Sequence, residues 1–293
     1  MAEIISGKLV SSAIREKIRE EIAAFKSEKG IAPGLAVVIV GENPASLVYV
    51  RNKHKACEEV GINSYEIALP VDVTQSELLK CIDDLNADSK VNGILVQLPL
   101  PKHIDEETVI NAISPYKDVD AFHPSNVGKI LIGNYDFLPC TPAGIIDLLE
   151  YYNIDVAGKK CVVLGRSNIV GKPMAHLLLE RNATVTVCHS KTNDLATETK
   201  NADILVVAIG KPEFVTADMV KPGAVVIDVG INRNSEGKLV GDVDFTSVSE
   251  VASYITPVPG GVGPMTITTL LKNTLNAAKR ACAENNQQNI AKT

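Results

Sequence analysis

Tyr49 and Lys53 stand four residues apart in a stretch, Ala45 to Val60, that reads as a helix, so they share one face. A tyrosine offers a flat ring and a hydroxyl, and a lysine in a partly dry pocket can serve as a general acid or base. Arg51 and Lys55 make the same run basic, and by spacing alone an ordinary surface helix accounts for the pair better. Gln97 closes a short apolar run and precedes Leu98-Pro99-Leu100-Pro101. A polar residue at the carboxyl end of a strand is either the rim of a ligand site or a simple strand exit. Asp118 and Asp120 lie in Lys117-Asp118-Val119-Asp120. A carboxylate can accept two parallel hydrogen bonds from an amino-pyrimidine edge, although loop and cap chemistry is its commoner use.

The second half carries different chemistry. Lys160 to Pro173 reads as strand, glycine loop and helix start, with Gly165 permitting the tight turn and Gly171 the approach of helix to sheet. Backbone N–H groups at such a helix start face a pyrophosphate. The spacing is not the regular GxGxxG, and a plain strand–helix turn competes as an account of the loop alone. Its place at the head of a run of β-α-β units favours the nucleotide reading. NAD-binding domains usually carry an acid about 20 residues beyond this loop, on the ribose 2′-hydroxyl. Here the strand Thr184 to Cys188 ends in His189-Ser190-Lys191-Thr192. Ser190, Lys191 and Arg166 suit a 2′-phosphate that a carboxylate would repel, so NADP is expected over NAD. A solvated Lys191, with Asp194 nearby, is the competing reading. Pro257 to Pro264 holds three prolines and three glycines. Stiffness combined with room for close approach suits a flat ligand or nicotinamide ring against the backbone.

These residues need a scaffold, and the apolar periodicity describes one. Val10, Ile14, Ile18 and Ile22 form a helical stripe. Strands are expected at Leu35 to Val40, Ser64 to Leu69 and Gly93 to Gln97, with helices at Ala45 to Val60 and Thr74 to Asn86. Thr74 and Glu77 form a capping box. Pro115 to Pro142 holds four prolines and reads as a connection or a long functional loop. Thr141-Pro142 reads as an N-cap and first helical residue. Strands follow at Cys161 to Leu164, Thr184 to Cys188, Ile204 to Ala208 and Val225 to Val229, and an amphipathic helix at Met265 to Ala283. The fold class is therefore α/β: two domains, each a mostly parallel sheet with flanking helices, the second Rossmann-like, with a cleft between them.

The bulk numbers agree. A chain of 293 residues suggests about two domains, and 45% hydrophobic residues suffice for real cores. A net charge of -6 argues against nucleic acid or an anionic membrane as the main partner. No apolar run of about 18 residues predicts a membrane span. The opening residues become charged too soon for a signal peptide. Six cysteines form no CxxC pair and no Cys/His cluster of zinc spacing, so no metal is expected, and reduced thiols in the cytoplasm fit best.

Taken together, the motifs resemble the bacterial bifunctional methylenetetrahydrofolate dehydrogenase/methenyltetrahydrofolate cyclohydrolase family. The matching segments are Tyr49 to Lys53, Gly93 to Pro101, Lys117 to Asp120, Pro139 to Gly144, Gly165 to Pro173 and Pro257 to Thr266, in order through nearly the whole chain. The resemblance implies oxidation of 5,10-methylenetetrahydrofolate by NADP⁺, then hydrolysis of the methenyl product to 10-formyltetrahydrofolate. It implies that Lys53 is catalytic with Gln97 as its partner, that Tyr49 borders the folate, and that Asp120 holds the pterin edge. Leu98, Pro99, Pro259, Gly260, Gly261 and Gly263 would line the folate side. Gly165, Arg166, Ser167, Ile169, Val170, Ser190 and Lys191 would contact NADP, with Ile231 beside the nicotinamide. The implied division is 1–140 plus 274–293 for the folate domain and 141–273 for the NADP domain, in a homodimer. The family usually has glycine after the second aspartate; Ala121 stands there instead and would be strained if the position needs positive φ. Intact Lys53 and Gln97 disfavour a dehydrogenase alone; a non-catalytic NADP-binding scaffold would tolerate loss of the first site, yet Tyr49, Lys53, Gln97 and Asp120 are all present; and the Lys53 and Pro-Gly-Gly contexts disfavour a shikimate-type dehydrogenase.

Overall fold

Short, wholly buried runs of β-branched and aliphatic residues decide where the central strands lie, because a strand covered on both faces has no polar side to show. The structure is a computed structural model and describes residues 1–290. In chain order the first elements are β1 (Glu3–Ile4), α1 (Gly7–Lys29), β2 (Gly34–Val40), α2 (Pro44–Val60), β3 (Asn63–Leu69), α3 (Gln75–Ala87) and β4 (Gly93–Val96). Next come α4 (Glu106–Ala112), α5 (Pro124–Leu131), α6 (Cys140–Tyr151), β5 (Lys160–Leu164), α7 (Gly171–Glu180), β6 (Thr184–Cys188) and α8 (Leu195–Lys200). The chain continues through β7 (Ile204–Val207), β8 (Val225–Asp228), β9 (Asn232–Arg233), β10 (Leu239–Val240), α9 (Phe245–Ser249), β11 (Tyr254–Ile255) and α10 (Val262–Ile290). Among the described residues no helix is long and apolar enough to cross a membrane.

Two compact units divide the chain: Ile14–Leu138 with Ile267–Thr293, and Met1–Ala13 with Pro139–Thr266. In the first, a three-stranded parallel sheet runs β3-β2-β4. All seven residues of β2 are buried, and Ala36, Val38, Leu78, Ile82, Ile94 and Val109 share one core. Burial of each such aliphatic chain contributes about 1.5–3 kcal/mol. The capping box forms: the Thr74 hydroxyl accepts from the Glu77 N–H and the Glu77 side chain accepts from the Thr74 N–H. Beyond β4 a single parallel bridge joins Ile94 to Asp118, which pins the aspartate loop to the sheet edge.

In the second unit six parallel strands run β1-β11-β8-β7-β5-β6. From β5 the chain steps to β6 on one side, then returns to β7 on the other. The carboxyl ends of β5 and β7 therefore border a topological switch point, the usual ligand crevice of such sheets. Val162, Leu164, Leu205, Val207, Val226 and Ile255 lie in the core beneath it.

The structure departs from the sequence reading in five places. Residues 1–13 belong with the Rossmann-like unit rather than with the first domain, because β1 pairs with β11 in the six-stranded sheet. The later boundaries fall at 138/139 and 266/267 instead of 140/141 and 273/274. The proline-rich stretch contains α5, whose Pro124 occupies the first turn. Helix α6 starts one residue before Thr141, with Pro139 at the N-cap and no side-chain cap bond. The last helix starts at Val262, inside the Pro-Gly-Gly segment, because backbone positions after Gly261 are already helical.

Candidate active site

In the three-stranded unit, α2 carries Tyr49 and Lys53 on one face and β4 ends immediately before Gln97. Lys53 is only 8% exposed, and its Nζ donates to Gln97 Oε1 at 2.8 Å. Gln97 Nε2 in turn donates to the Leu98 carbonyl at 2.8 Å, which fixes the amide with its oxygen toward the lysine. A buried ammonium needs such acceptors, since desolvation without them is costly. The lysine is thus buried and oriented, and is not a solvated surface group. Tyr49 is half-buried, and burial pushes its phenol pKa up, so at neutral pH it keeps its proton and can donate.

Asp120 leaves the sheet edge on the loop after the Ile94–Asp118 bridge, and with Leu98 it borders one small cavity. Sequence reasoning passes over the residues that place it. Asp118 is 2% exposed; its Oδ2 accepts from the His123 N–H and from Asn126 Nδ2, both at 2.8 Å. Burial pushes the Asp118 carboxyl up, while Asn126 and His123 act the other way. Asn273 of α10 donates to the Val119 carbonyl at 2.8 Å from behind the loop. Ala121 is fully buried with φ 58, so the position does require the left-handed region. The only available signal is the Asp-Val-Asp spacing, which does not distinguish the buried aspartate from the partly buried one.

The Rossmann-like unit holds the other expected residues. Gly165 has φ 131, and a Cβ there would collide with the Ala208 carbonyl at the end of β7. The Ser167 hydroxyl accepts from the N–H groups of Val170 and Gly171 at 3.1 and 3.3 Å and so closes the first turn of α7. Ile169 is 41% exposed and Val170 partly buried along that loop. Strands β5 and β6 pair with Leu164 opposite Cys188, so Arg166 and Ser190-Lys191 leave the sheet side by side, all three exposed. The His189 N–H donates to Thr192 Oγ1 at 2.8 Å and presents Ser190 and Lys191 at the tip of a tight turn. Asp194 does not join them: its carboxylate accepts from the Thr197 hydroxyl at the start of α8. A pyrophosphate suits the N–H groups at this helix start, and a 2′-phosphate suits the cations beside it.

Val258–Pro259 is a cis peptide, and Gly260 with φ 110 offers its carbonyl to the Lys8 N–H at 3.1 Å. Gly261 packs so tightly on Gly7 at the start of α1 that Gly7 has no room for a Cβ. Ile231, 49% exposed after β8, places its Cδ1 3.9 Å from where a Cβ on Gly263 would stand. The expected residues therefore assemble as two sets, one in each unit.

Comparison with known proteins divides the chain at a similar central boundary, but puts residues 5–13 with the first domain and 267–282 with the second. Residues 5–120 match the catalytic domain of tetrahydrofolate dehydrogenase/cyclohydrolase, and residues 139–282 match its NAD(P)-binding domain. The Bifunctional protein FolD of Acetivibrio thermocellus is 63% identical over 95% of this chain and 97% of its own length. The crystal structure of the bifunctional enzyme FolD from Campylobacter jejuni superposes with a TM-score of 0.93 at 53% identity, covering 96% of this chain and 99% of that one. The Trypanosoma brucei methylenetetrahydrofolate dehydrogenase-cyclohydrolase, solved with NADP and an inhibitor, superposes with a TM-score of 0.92 at 42% identity, covering 96% and 98%. By both its sequence and its fold, the chain belongs to the tetrahydrofolate dehydrogenase/cyclohydrolase family.

Proposed function

We propose that Lys53, fixed by Gln97, manages the protons of the hydrolytic step and that Asp120 and Tyr49 hold the folate in front of it. The chain is a bifunctional one-carbon enzyme: it oxidises 5,10-methylenetetrahydrofolate to the methenyl form with NADP⁺ and hydrolyses that to 10-formyltetrahydrofolate. NADP⁺, when bound, supplies the hydride acceptor. The oxidation needs no proton removed from the reacting carbon, so the protein's task there is positioning. In the hydrolysis a water adds to the methenyl carbon and its oxygen loses both protons on the way to the formyl carbonyl; one goes to the ring nitrogen whose bond to that carbon breaks, and the other is released to solvent. Lys53 Nζ is the mobile-proton group suited to both transfers, and the 2.8 Å bond to Gln97 keeps it aimed. Asp120 accepts from the amino-pyrimidine edge, Tyr49 borders the ring, and Leu98 and Pro99 form the rim. Gly165 to Val170 receive the pyrophosphate, and Arg166, Ser190 and Lys191 the 2′-phosphate. Ile231, with Pro259, Gly260, Gly261 and Gly263, walls the nicotinamide and the folate carbon.

The observation that carries this reading is a lysine ammonium 8% exposed and bonded to an oriented amide. A spectrophotometric assay tests it: Lys53→Met is expected to leave methenyltetrahydrofolate unhydrolysed while binding NADP⁺ normally. A wild-type hydrolysis rate would refute the role. We place the chain in the cytoplasm as a homodimer. Strand β6 ends the six-stranded sheet with Val187 39% exposed and Leu179 58% exposed beside it, an edge suited to a second copy. Sedimentation at micromolar concentration is expected to give a dimer mass.

A further inference from the structure

Two aspartates outside the reacting groups lie inside the Rossmann-like unit, Asp228 3% and Asp242 0% exposed. Asp228 ends β8. Its Oδ1 accepts from the N–H groups of Gly230 and Asp242, both at 2.9 Å, and its Oδ2 from Val243 N–H at 3.0 Å. Asp242 follows β10. Its Oδ2 accepts from Ile209 and Gly210 N–H at 2.7 and 3.0 Å, and its Oδ1 from Lys211 N–H and Asn232 Nδ2, both at 2.8 Å. Three separate segments therefore converge on two carboxylates: 209–211 after β7, 230–232 after β8, and 242–243 after β10. The fit leaves no slack, since a Cβ on Gly241 would collide with the Asp228 carboxylate.

The position of this knot matters more than its size. The first two segments leave the sheet at the carboxyl ends of β7 and β8, the ligand-binding side on which Gly165 also leaves β5. Gly230 and Asn232, the residues on either side of Ile231, each donate to one of the carboxylates. Ile231 itself stays 49% exposed and makes no demand on the core. Its placement comes from its tethered neighbours. Burial pushes the Asp228 carboxyl up to about 7, with its three backbone donors pulling the other way.

We propose that Asp228 and Asp242 are positioning residues for hydride transfer, holding the loop after β8 so that Ile231 stands as a fixed wall of the nicotinamide site. The proposal rests on the reading of Ile231 given above. The enzyme's two activities supply the control. Oxidation depends on the nicotinamide wall, whereas hydrolysis of added methenyltetrahydrofolate depends on Lys53 and Gln97 in the other unit. A pair that merely stabilised the fold would affect both together.

The test uses the full chain with Asp242→Asn, Asn232→Ala and Ile231→Ala. Asp242→Asn turns an amide N–H toward backbone N–H groups, and Asn232→Ala removes one donor and serves where the first variant fails to fold. The expected result is a fall of tenfold or more in dehydrogenase kcat/KM for NADP⁺ in Asp242→Asn, and a smaller fall in Asn232→Ala. Hydrolysis of added methenyltetrahydrofolate stays within twofold of wild type, and amide hydrogen exchange at Ile209 to Lys211 quickens in the protein without cofactor. Equal loss of both activities, or a wild-type dehydrogenase rate in both Asp242→Asn and Asn232→Ala, would overturn the proposal. A wild-type dehydrogenase rate in Ile231→Ala would instead overturn the site reading beneath it.

Discussion

The two units build their halves of the chemistry from different materials. In the three-stranded unit the groups proposed to work are side chains: the Lys53 ammonium, bonded to the Gln97 amide, which is itself bonded to the Leu98 carbonyl, and the Asp120 carboxylate. In the Rossmann-like unit they are largely backbone: glycine positions with no room for a Cβ and N–H groups at a helix start, with Arg166, Ser190 and Lys191 added at the rim. The difference teaches where each half is vulnerable. Truncating a side chain should damage the first and leave the second intact, whereas adding a methyl group should do the reverse.

The comparison can be broken at its strongest point. Lys53→Met is expected to reduce methenyltetrahydrofolate hydrolysis by about 10²-fold or more, the usual span of general acid–base catalysis. Calorimetry should meanwhile give an unchanged NADP⁺ affinity. Next in size is Gly165→Ala, which forces a Cβ against the Ala208 carbonyl at a φ that alanine avoids. NADP⁺ titration should weaken by about tenfold or more, on the scale of a misfit costing about 1.4 kcal/mol or above, while hydrolysis continues. Loss of hydrolysis in a folded Gly165→Ala would contradict the division of labour. Ser190→Glu combined with Lys191→Ala asks whether the rim is a 2′-phosphate site. Charge-assisted hydrogen bonds of about 1.5–3 kcal/mol imply roughly ten- to hundredfold more loss for NADP than for NAD. Equal losses would reduce the rim to solvated surface.

Two smaller effects sharpen the contrast. Asp228 has its carboxyl pushed up to about 7 from 3.8, so the folded chain keeps a proton that the unfolded chain has lost. Its contribution to stability is full below about 3.8 and disappears as pH rises through about 7. Thermal melts between about pH 5 and 8 should show Asp228→Asn declining less steeply than wild type, by up to about 1.4 kcal/mol per pH unit. Ala121→Gly relieves a left-handed alanine in the half built from side chains. An increase of about 1 kcal/mol in denaturation stability is expected, with kcat/KM for methylenetetrahydrofolate preserved or raised. A destabilised glycine variant would mean that burial of the Ala121 methyl outweighs the strain.

Legibility followed the same divide. Long apolar runs such as β2 and the capping box at Thr74 were readable because local pattern and final environment agree. Lys53 and Gln97 were readable as candidates, but their contact joins positions 44 residues apart, which no local spacing reveals. β1 and β11 were invisible because two-residue strands have no periodicity and exist only through pairing. Helix α5 was hidden by the prolines around it, although Pro124 is favourable in a first turn. Asp228 closed an apolar strand in plain sight, but a terminal aspartate gives no hint that backbone N–H groups from three residues will meet it. The regular glycine fingerprint was absent, yet Gly165 does the same steric work, because the constraint is approach to Ala208 and not a spacing rule.

The pairing of β1 with β11 also has a consequence for the order in which the chain is made. A ribosome makes Glu3 and Ile4 about 250 residues before their partners Tyr254 and Ile255. Throughout synthesis of the lysine-bearing unit, the amino-terminal strand and the glycine that seats α1 have nothing to dock on. The dinucleotide unit can finish its sheet only after Tyr254 and Ile255 are made, and a fragment beginning at Pro139 would carry β11 as a bare edge open to intruding strands.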